Sequence, residues 1–271
     1  MLTRILTAAA GLAVFLPVMC FSGTYAFNAA LAVVCVIAVY ELLGVWGMKK
    51  EFAVCLPAYI YAVALPLYTA VSYKYIYNIS MLMIFLMMLV SVMAKGKYDV
   101  GKLTAFSAFC VYAVSSFTSL LLIRRMEQGA FVIWLVFIGA WVTDTAAYFC
   151  GRFLGKHKLI PDVSPKKTVE GAVGGVVFCT LSFLLYGFLI KSFSDTEVNF
   201  VFLAVSGVVL SIVSQAGDLV MSKLKRAYGV KDFGNLLPGH GGILDRFDSI
   251  LAVALLLMII SSRPDMFYFF R

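Results

Sequence analysis

The sequence predicts an all-α, polytopic integral membrane protein. Of its 271 residues, 62% are hydrophobic and only 13% are charged, whereas a soluble domain carries about 25% charged residues. So few charges cannot cover a water-facing surface, and the outer surface must therefore face lipid. A transmembrane helix needs about 20 mostly apolar residues to cross a hydrocarbon core about 30 Å thick. Nine runs of this kind predict nine transmembrane helices.

The nine runs follow one another without a long polar insertion. They lie near residues 5–21, 25–47, 52–73, 75–94, 103–123, 130–150, 169–190, 199–221 and 248–262. The first has Arg4 ahead of an apolar core, as in a signal peptide, but no small-x-small cleavage site follows it, so we interpret it as a retained helix. We expect a single membrane domain over 1–271, with helices one to five in 1–125 and helices six to nine in 130–262.

The basic residues predict the orientation of these helices. With nine crossings, alternate loops fall on opposite sides, and one side carries most of the 22 Lys and Arg residues. That side holds Arg4, Lys49, Lys50, Lys95, Lys97, Lys102, Arg152, Lys156, Lys158, Lys166, Lys167, Lys223, Lys225, Arg226, Lys231 and Arg246. The other side holds Lys74, Arg124, Arg125, Lys191, Arg263 and Arg271. The positive-inside rule places the N-terminus in the cytoplasm, and it explains the net charge of +8 without a nucleic-acid partner.

Four carboxylates lie where an apolar helix meets the cytoplasmic side. Asp144 and Asp218 are near the ends of helices six and eight, and Asp245 and Asp248 begin helix nine on one face, three residues apart. A carboxylate at a helix centre costs about 2.5–3.5 kcal/mol on insertion scales, so such residues usually serve a function. Carboxylates and water are the ligands that Mg²⁺ requires. Glu41 in helix two is a further acid, which we interpret as a buried, hydrogen-bonded residue near the interface.

The loop before helix seven combines lysines with helix-capping residues. Ser164 or Thr168 is predicted to cap helix seven, and Pro165 suits a helix start or a turn. Lys166 and Lys167 then lie beside a helix N-terminus, whose free N–H groups favour phosphate. A capped helix with lysines that only set the topology is an equally favoured interpretation.

The segment from Ser222 to Asp248 is richer still. Its cations can neutralise phosphate oxygens, and Gly239, Gly241 and Gly242 let backbone N–H groups approach a ligand closely. Cations, flexible backbone and metal-binding acids are what phosphoryl or nucleotidyl transfer needs. The segment contains no Walker A motif. His240 taken alone is interpreted as a loop-packing residue rather than a catalytic base.

This segment resembles the signature of the phosphatidate cytidylyltransferases (CDP-diacylglycerol synthases), bacterial type. The pattern is S-x-hydrophobic-K-R, four residues, K-D, a short spacer, L-P-x-H-G-G, two hydrophobic residues and D-R-hydrophobic-D, and every position matches. The stretches around Asp144, around 164–171 and at 215–218 are also similar to that family. The resemblance covers mainly residues 140–250.

The resemblance implies a reaction and a set of site residues. CTP and phosphatidic acid would give CDP-diacylglycerol and pyrophosphate with Mg²⁺, in a two-metal arrangement with a monovalent cation left open. A homodimer in the inner (cytoplasmic) membrane is implied, with the active site on the cytoplasmic side. Metal ligation is assigned to Asp218 and Asp245, with Asp144 and Asp248 as further ligands. The expected catalytic residues are Asp144, Lys167, Asp218, Lys225, Arg226, Asp245 and Asp248. The expected substrate-binding residues are Ser164, Lys166, Lys167, Thr168, Lys223, Lys225, Arg226, Lys231, His240, Gly241, Gly242 and Arg246.

Two other classes remain as alternatives. Intramembrane acids often mark ion paths in transporters, but transporter sites tend to lie near the midplane between repeated halves, and the acids here crowd one end of the helices. A dolichol kinase-like enzyme or an isoprenoid-lipid cytidylyltransferase would share the use of CTP and differ in the lipid acceptor.

Overall fold

The computed structural model describes residues 2–72, 74–94, 96–262 and 268–270; Lys95, Arg263 and Arg271 of the predicted charge pattern lie outside them. Within these ranges the chain forms helices and one short hairpin. The elements are α1 (Leu2–Cys20), α2 (Tyr25–Val45), α3 (Phe52–Tyr68), α4 (Ile76–Met93), α5 (Val100–Arg125), α6 (Gly129–Phe137), a π-helical segment (Ile138–Val142), α7 (Thr143–Phe153), β1 (Lys158–Ile160), β2 (Ser164–Thr168), α8 (Val169–Phe193), α9 (Phe200–Ala227) and α10 (Leu244–Ser261).

Each predicted apolar run coincides with a helix, and α6, the π segment and α7 form one continuous stretch. Among the described residues, six helices are long and apolar enough to cross a membrane. They are Tyr25–Val45, Ile76–Met93, Val100–Arg125, Gly129–Phe153, Val169–Phe193 and Phe200–Ala227. Two shorter apolar helices, Ala9–Cys20 and Phe52–Tyr68, accompany them, and α10 has charged residues at Asp245, Arg246 and Asp248 in its first turns. The chain is thus mostly helical with several potential spans, while nine crossings and a cytoplasmic N-terminus stay predictions.

One element corrects the all-α prediction. Strands β1 and β2 pair antiparallel, with Lys158 opposite Thr168 and Ile160 opposite Ser164, where the sequence suggested only a loop. The connection turns at Pro161-Asp162, residue types that favour turns, and Val163 N–H donates to the carbonyl of Ile160 at 3.3 Å. Three- and five-residue strands carry too little alternation of polar and apolar side chains to be recognised from sequence.

The chain divides into two compact units. The first comprises Met1–Leu122 and Ala227–Phe247, and the second comprises Ile123–Arg226 and Asp248–Arg271. The single membrane domain expected from sequence stays a prediction.

In the first unit, α2, α3 and α5 carry most of the buried side chains. Leu42, Leu65 and Phe117 are completely buried. A polar contact ties α2 to α3, since the Asn28 side-chain amide donates to the carbonyl of Pro66 at 2.7 Å in the buried core. The core therefore fixes the position of α2, whose last turns contact the segment that follows α9.

In the second unit, glycines allow helices to approach closely. A Cβ at Gly217 on α9 would lie 2.5 Å from the Cβ of Ala252 on α10, and a Cβ at Gly207 would lie 2.9 Å from the Cα of Thr180 on α8. Small residues allow this close packing between apolar helices. Because Asp218 follows Gly217 directly, this contact brings its carboxylate towards α10.

Candidate functional site

Three of the four predicted carboxylates gather in the second unit. This carboxylate cluster comprises Asp144 on α7, Asp218 on α9 and Asp248 on α10. Ser249 connects two of them: its hydroxyl donates to Asp144 Oδ2 at 2.9 Å, and its backbone N–H donates to Asp248 Oδ1 at 2.9 Å. Asp218 and Asp144 both act electrostatically on Asp248. The stretches of α7, α9 and α10 that carry these acids therefore meet, although α9 continues past Asp218 to Ala227 rather than ending near it.

Two lysines neutralise part of the cluster's charge. The Lys167 ammonium lies 2.5 Å from Asp218 Oδ2, and Lys225, only 8% exposed, attracts Asp248 electrostatically. Ser222 donates to the other oxygen of Asp218 at 3.2 Å. On α9, Asp218, Ser222 and Lys225 are spaced four and three residues apart and so lie on one face. The cluster is a mixed site of carboxylates and ammonium groups.

The π segment ends at Val142, and one residue, Thr143, separates it from Asp144. A π segment adds one residue to a turn, so α7 is rotated by about 100° from the face that a continuous α-helix would present. The rotated helix is held by Thr143, whose hydroxyl donates to Ser211 on α9 at 2.9 Å. The sequence contained no clear signal for this element, because its hydrophobicity pattern merges with that of α6.

The hairpin presents Lys167 to the cluster. Strand alternation sends neighbouring side chains to opposite faces, so Lys167 pairs with Asp218 while Lys166 is exposed. Thr168 caps α8, since its hydroxyl oxygen accepts the N–H of Gly171 at 3.1 Å. Of the two predicted caps, Thr168 is therefore confirmed, and Ser164 instead lies in β2.

Glu170 secures the chain ahead of the hairpin. Its carboxylate accepts the backbone N–H groups of Lys156 and His157, and the His157 ring nitrogen Nδ1 lies 2.6 Å from Oε1. Glu170 lies within the family-like stretch 164–171, but only the structure shows that it anchors the chain ahead of the hairpin that carries Lys167.

The fourth carboxylate has different contacts. Asp245, in the first unit, is 6% exposed, and its Oδ2 accepts the N–H of Phe233 at 2.7 Å and of Gly242 at 2.9 Å. Gly241 has φ +83°, and a Cβ there would lie 2.8 Å from the same oxygen. Asp245 thus shapes the preceding loop, and metal ligation by Asp245 stays a prediction.

Residues of that loop line an open, polar pocket of about 610 Å³. Its lining residues are Lys231, Asp232, Asn235, Leu237, Pro238, Gly239, His240, Gly241 and Arg246, and we call it the loop pocket. Two cations line it, and Gly239 and Gly241 adopt positive φ, a conformation that favours glycine. His240 Nδ1 is buried and makes no hydrogen bond with a described residue. Cations and closely approachable backbone suit an anionic ligand.

The remaining predicted basic residues lie elsewhere. Lys223 and Arg226 are exposed on α9, on faces other than that of Lys225. The structure therefore separates the predicted basic set into cluster lysines, pocket cations and exposed residues.

Within the described ranges, no group of three or more His, Cys, Asp or Glu side chains is already arranged to hold a metal ion. The carboxylate oxygens of Asp144, Asp218 and Asp248 are nevertheless the donor type that a hard divalent cation takes. The donor chemistry of the cluster fits Mg²⁺, with Lys167 and Lys225 as its competing cations.

Glu41 is confirmed as a buried, hydrogen-bonded acid. It is 3% exposed, and its two oxygens accept the N–H groups of Ile243 and Leu244 at 2.8 and 2.9 Å. The backbone groups that Glu41 binds could not be predicted from the sequence, because they lie 202 and 203 positions away.

Apolar helices, a cluster of acids and lysines, and an anion-fitting pocket are features of an integral membrane enzyme that handles phosphorylated substrates. The model of the cytidylyltransferase family matches residues 2–262, and the chain belongs to this family. It is a nucleotidyltransferase by the names of its relatives.

Curated relatives agree over nearly the whole chain. A phosphatidate cytidylyltransferase of Staphylococcus haemolyticus is 36% identical, covering 96% of this chain and 98% of its own length. The Bacillus subtilis protein of the same name is 35% identical over 92% and 93%, and that of Staphylococcus aureus is 37% identical over 96% and 98%. The similarity thus extends well beyond residues 140–250 into the N-terminal helices.

Proposed function

We propose that this enzyme transfers the CMP moiety of CTP to phosphatidic acid, giving CDP-diacylglycerol and pyrophosphate. The observation that carries the proposal is the carboxylate cluster with Lys167 and Lys225, in a chain that has the complete signature from Ser222 to Asp248. The names of relatives at 35–37% identity support the same reaction.

The reaction needs charge neutralisation and positioning rather than a protein nucleophile. A phosphate oxygen of phosphatidic acid attacks the α-phosphorus of CTP, the bond from that phosphorus to the bridging oxygen breaks, and pyrophosphate leaves with the electron pair. No Ser, Cys or His nucleophile is required. Lys231 and Arg246 in the loop pocket are the proposed contacts to the CTP phosphates, because their charges face open, polar space.

Lysines of the cluster supply the other cationic contacts. Lys167 is a long, half-buried side chain paired with Asp218, and its proposed role is a contact to a phosphate oxygen of the substrate. Lys225 is held inside the cluster beside Asp248 and is only 8% exposed. Arg226, Lys223 and Lys166 are exposed, and we propose for them a weaker, steering contribution to the binding of anions.

Mg²⁺ is the proposed cofactor, held by Asp144, Asp218 and Asp248, with Asp245 as a further predicted ligand. When bound, Mg²⁺ supplies positive charge that stabilises the oxygens of the attacking and leaving groups. The chain's own part is to present hard oxygen donors from three helices, with Ser249 orienting two of them.

The proposed location is the cytoplasmic side of the inner membrane, as a homodimer. The asymmetry of basic residues supports this orientation, in which the site would face the side where CTP is found. The membrane supplies the second substrate, since phosphatidic acid is a lipid.

One assay tests the proposal. Purified protein is supplied with labelled CTP, phosphatidic acid and Mg²⁺, and lipid and water-soluble products are separated. We expect a labelled liponucleotide and pyrophosphate in equal amounts. CDP with a phosphorylated lipid would instead identify a lipid kinase. A liponucleotide formed only with an isoprenoid phosphate would change the acceptor, and no turnover with any acceptor would favour a transporter.

A further inference from the structure

Glu41 acts as a helix cap supplied from another helix. The first N–H groups of a helix have no acceptor within that helix, and a negative charge near them is favourable. The Glu41 carboxylate on α2 accepts the N–H of Ile243 and of Leu244, at the residues where α10 begins. Both oxygens of this acid are therefore committed to backbone of the first unit.

Two glycines close around the same carboxylate. A Cβ at Gly234 would lie 2.8 Å from Glu41 Oε1, and a Cβ at Gly242 would overlap the carboxylate. The Gly242 N–H meanwhile donates to Asp245. Glu41 and Asp245 together accept four backbone N–H bonds from the stretch 233–244, which forms much of the loop pocket.

The chain ahead of this stretch, at Tyr228, also contacts the C-terminal cap of α2. The ring of Trp46 lies 4.6 Å from that of Tyr228, just before the loop, and its indole N–H donates to the carbonyl of Lys102 at 3.1 Å. The C-terminal end of α2 therefore contacts the chain ahead of this stretch through Trp46 and the end of the stretch through Glu41.

We propose that Glu41 is a positioning residue for the loop pocket, holding its backbone in the form that binds the CTP phosphates; this inference rests on the proposed function. A buried carboxylate is costly unless hydrogen-bonded, and here two charge-assisted bonds offset that cost. Binding is strengthened when donors are held in place before the ligand arrives. Loss of one acceptor leaves a buried N–H unsatisfied and frees the loop.

The test compares Glu41→Gln with wild type and with Asn28→Ala as a matched control. Asn28 is a buried, hydrogen-bonded residue of the same helix, but its partners are on α3 and in the turn after it. Hydrogen exchange is measured over peptides covering 231–246, and KM is measured separately for CTP and phosphatidic acid. Glu41→Gln keeps the shape of the side chain but presents an NH₂ group to one backbone N–H.

We expect faster exchange over 231–246 and about a tenfold higher KM for CTP in Glu41→Gln, as one charge-assisted bond is lost. KM for phosphatidic acid should stay at the wild-type value, and Asn28→Ala should lower stability without changing either quantity. Glu41→Asp keeps the charge, so its hydrogen exchange over 231–246 and its KM for CTP should lie between those of wild type and Glu41→Gln. It replaces Glu41→Gln in the test if that variant does not fold.

Unchanged exchange over 231–246 in the Glu41 variants would overturn the inference. So would a lower yield of folded protein with an unchanged KM for CTP, since that result describes a merely structural residue. A wild type that does not use CTP, with exchange still faster in Glu41→Gln, would overturn the proposed function and support only the role of Glu41 in holding the loop.

Discussion

The carboxylate cluster and the loop pocket both combine acidic and basic residues, but these residues make different contacts in the two regions. In the cluster, acids from three helices face two lysines, and their contacts are mainly to side chains. In the loop pocket, the nearby acids Glu41 and Asp245 are occupied by backbone N–H groups, while Lys231 and Arg246 face open space. The first arrangement suits a cation and the second suits an anion. The contacts of a carboxylate, and not its presence, indicate its function.

The largest effect is expected for Asp218→Asn. This change removes the charge that pairs with Lys167 and one proposed metal ligand, with almost no change in shape. We expect product formation to fall by about 10²–10³-fold, the size typical of losing one preorganised electrostatic contact. The rate is measured across a Mg²⁺ titration, with thermal unfolding to check the fold. Near-normal activity at saturating Mg²⁺ would remove Asp218 from the cluster's function.

The next largest effect is expected for Lys225→Met, whose turnover is compared with that of Lys223→Met. Both lysines are on α9, but Lys225 is buried beside Asp248 while Lys223 is exposed. Removing Lys225 takes a neighbouring positive charge away from the half-buried Asp248, which is costly, so we expect a large loss of turnover there and little change for Lys223. Equal effects on turnover would contradict the distinction between cluster lysines and exposed lysines.

A moderate effect is expected for Arg246→Gln. If the loop pocket binds CTP phosphates, KM for CTP should rise by about tenfold, as expected for loss of one charge-assisted bond, while the Mg²⁺ dependence stays as in wild type. Lys50→Gln, at an exposed residue outside the site, serves as the charge-matched control. An altered Mg²⁺ requirement with an unchanged KM would assign Arg246 to the metal rather than to the nucleotide.

The smallest effect is expected for Glu51→Gln. Hydrogen bonds from Lys97 and Tyr98 lower the pKa of the Glu51 carboxyl, and the Lys97 and Glu51 side chains are 60% and 27% exposed to solvent. Because exposed ion pairs contribute little to stability, we expect wild-type activity and a nearly unchanged melting temperature. A clear loss of CTP turnover would show that the loops after α2 and α4 take part in the reaction.

Much of the fold could be predicted because apolar length is a local property of the sequence. The nine predicted runs coincide with helices, and Asp144, Asp218 and Asp248 do meet as their similar depth suggested. The π segment and the hairpin were missed, since neither changes the hydrophobicity pattern enough to be recognised.

The different contacts made by the individual acids could not be predicted from the sequence either. Asp245 and Asp248 are three residues apart on one helix, and nothing local distinguishes them. Asp245 accepts N–H groups from a loop that folds back on it, and Glu41 finds its partners across the chain. Such contacts depend on the tertiary structure, so charge and spacing alone placed these acids near the site without giving their functions.

The π segment has a consequence for how this chain tolerates insertions and deletions. Its extra residue sets the rotation of α7 about the helix axis from Thr143 onward. Deletion of one residue between Ile138 and Val142 would therefore restore an ordinary α-helix and turn the Asp144 side chain away from Ser249. Hydrophobicity would barely change, and the helix would still be long enough to enter a bilayer. The length of this stretch is therefore as strictly determined as the identity of the aspartate that follows it.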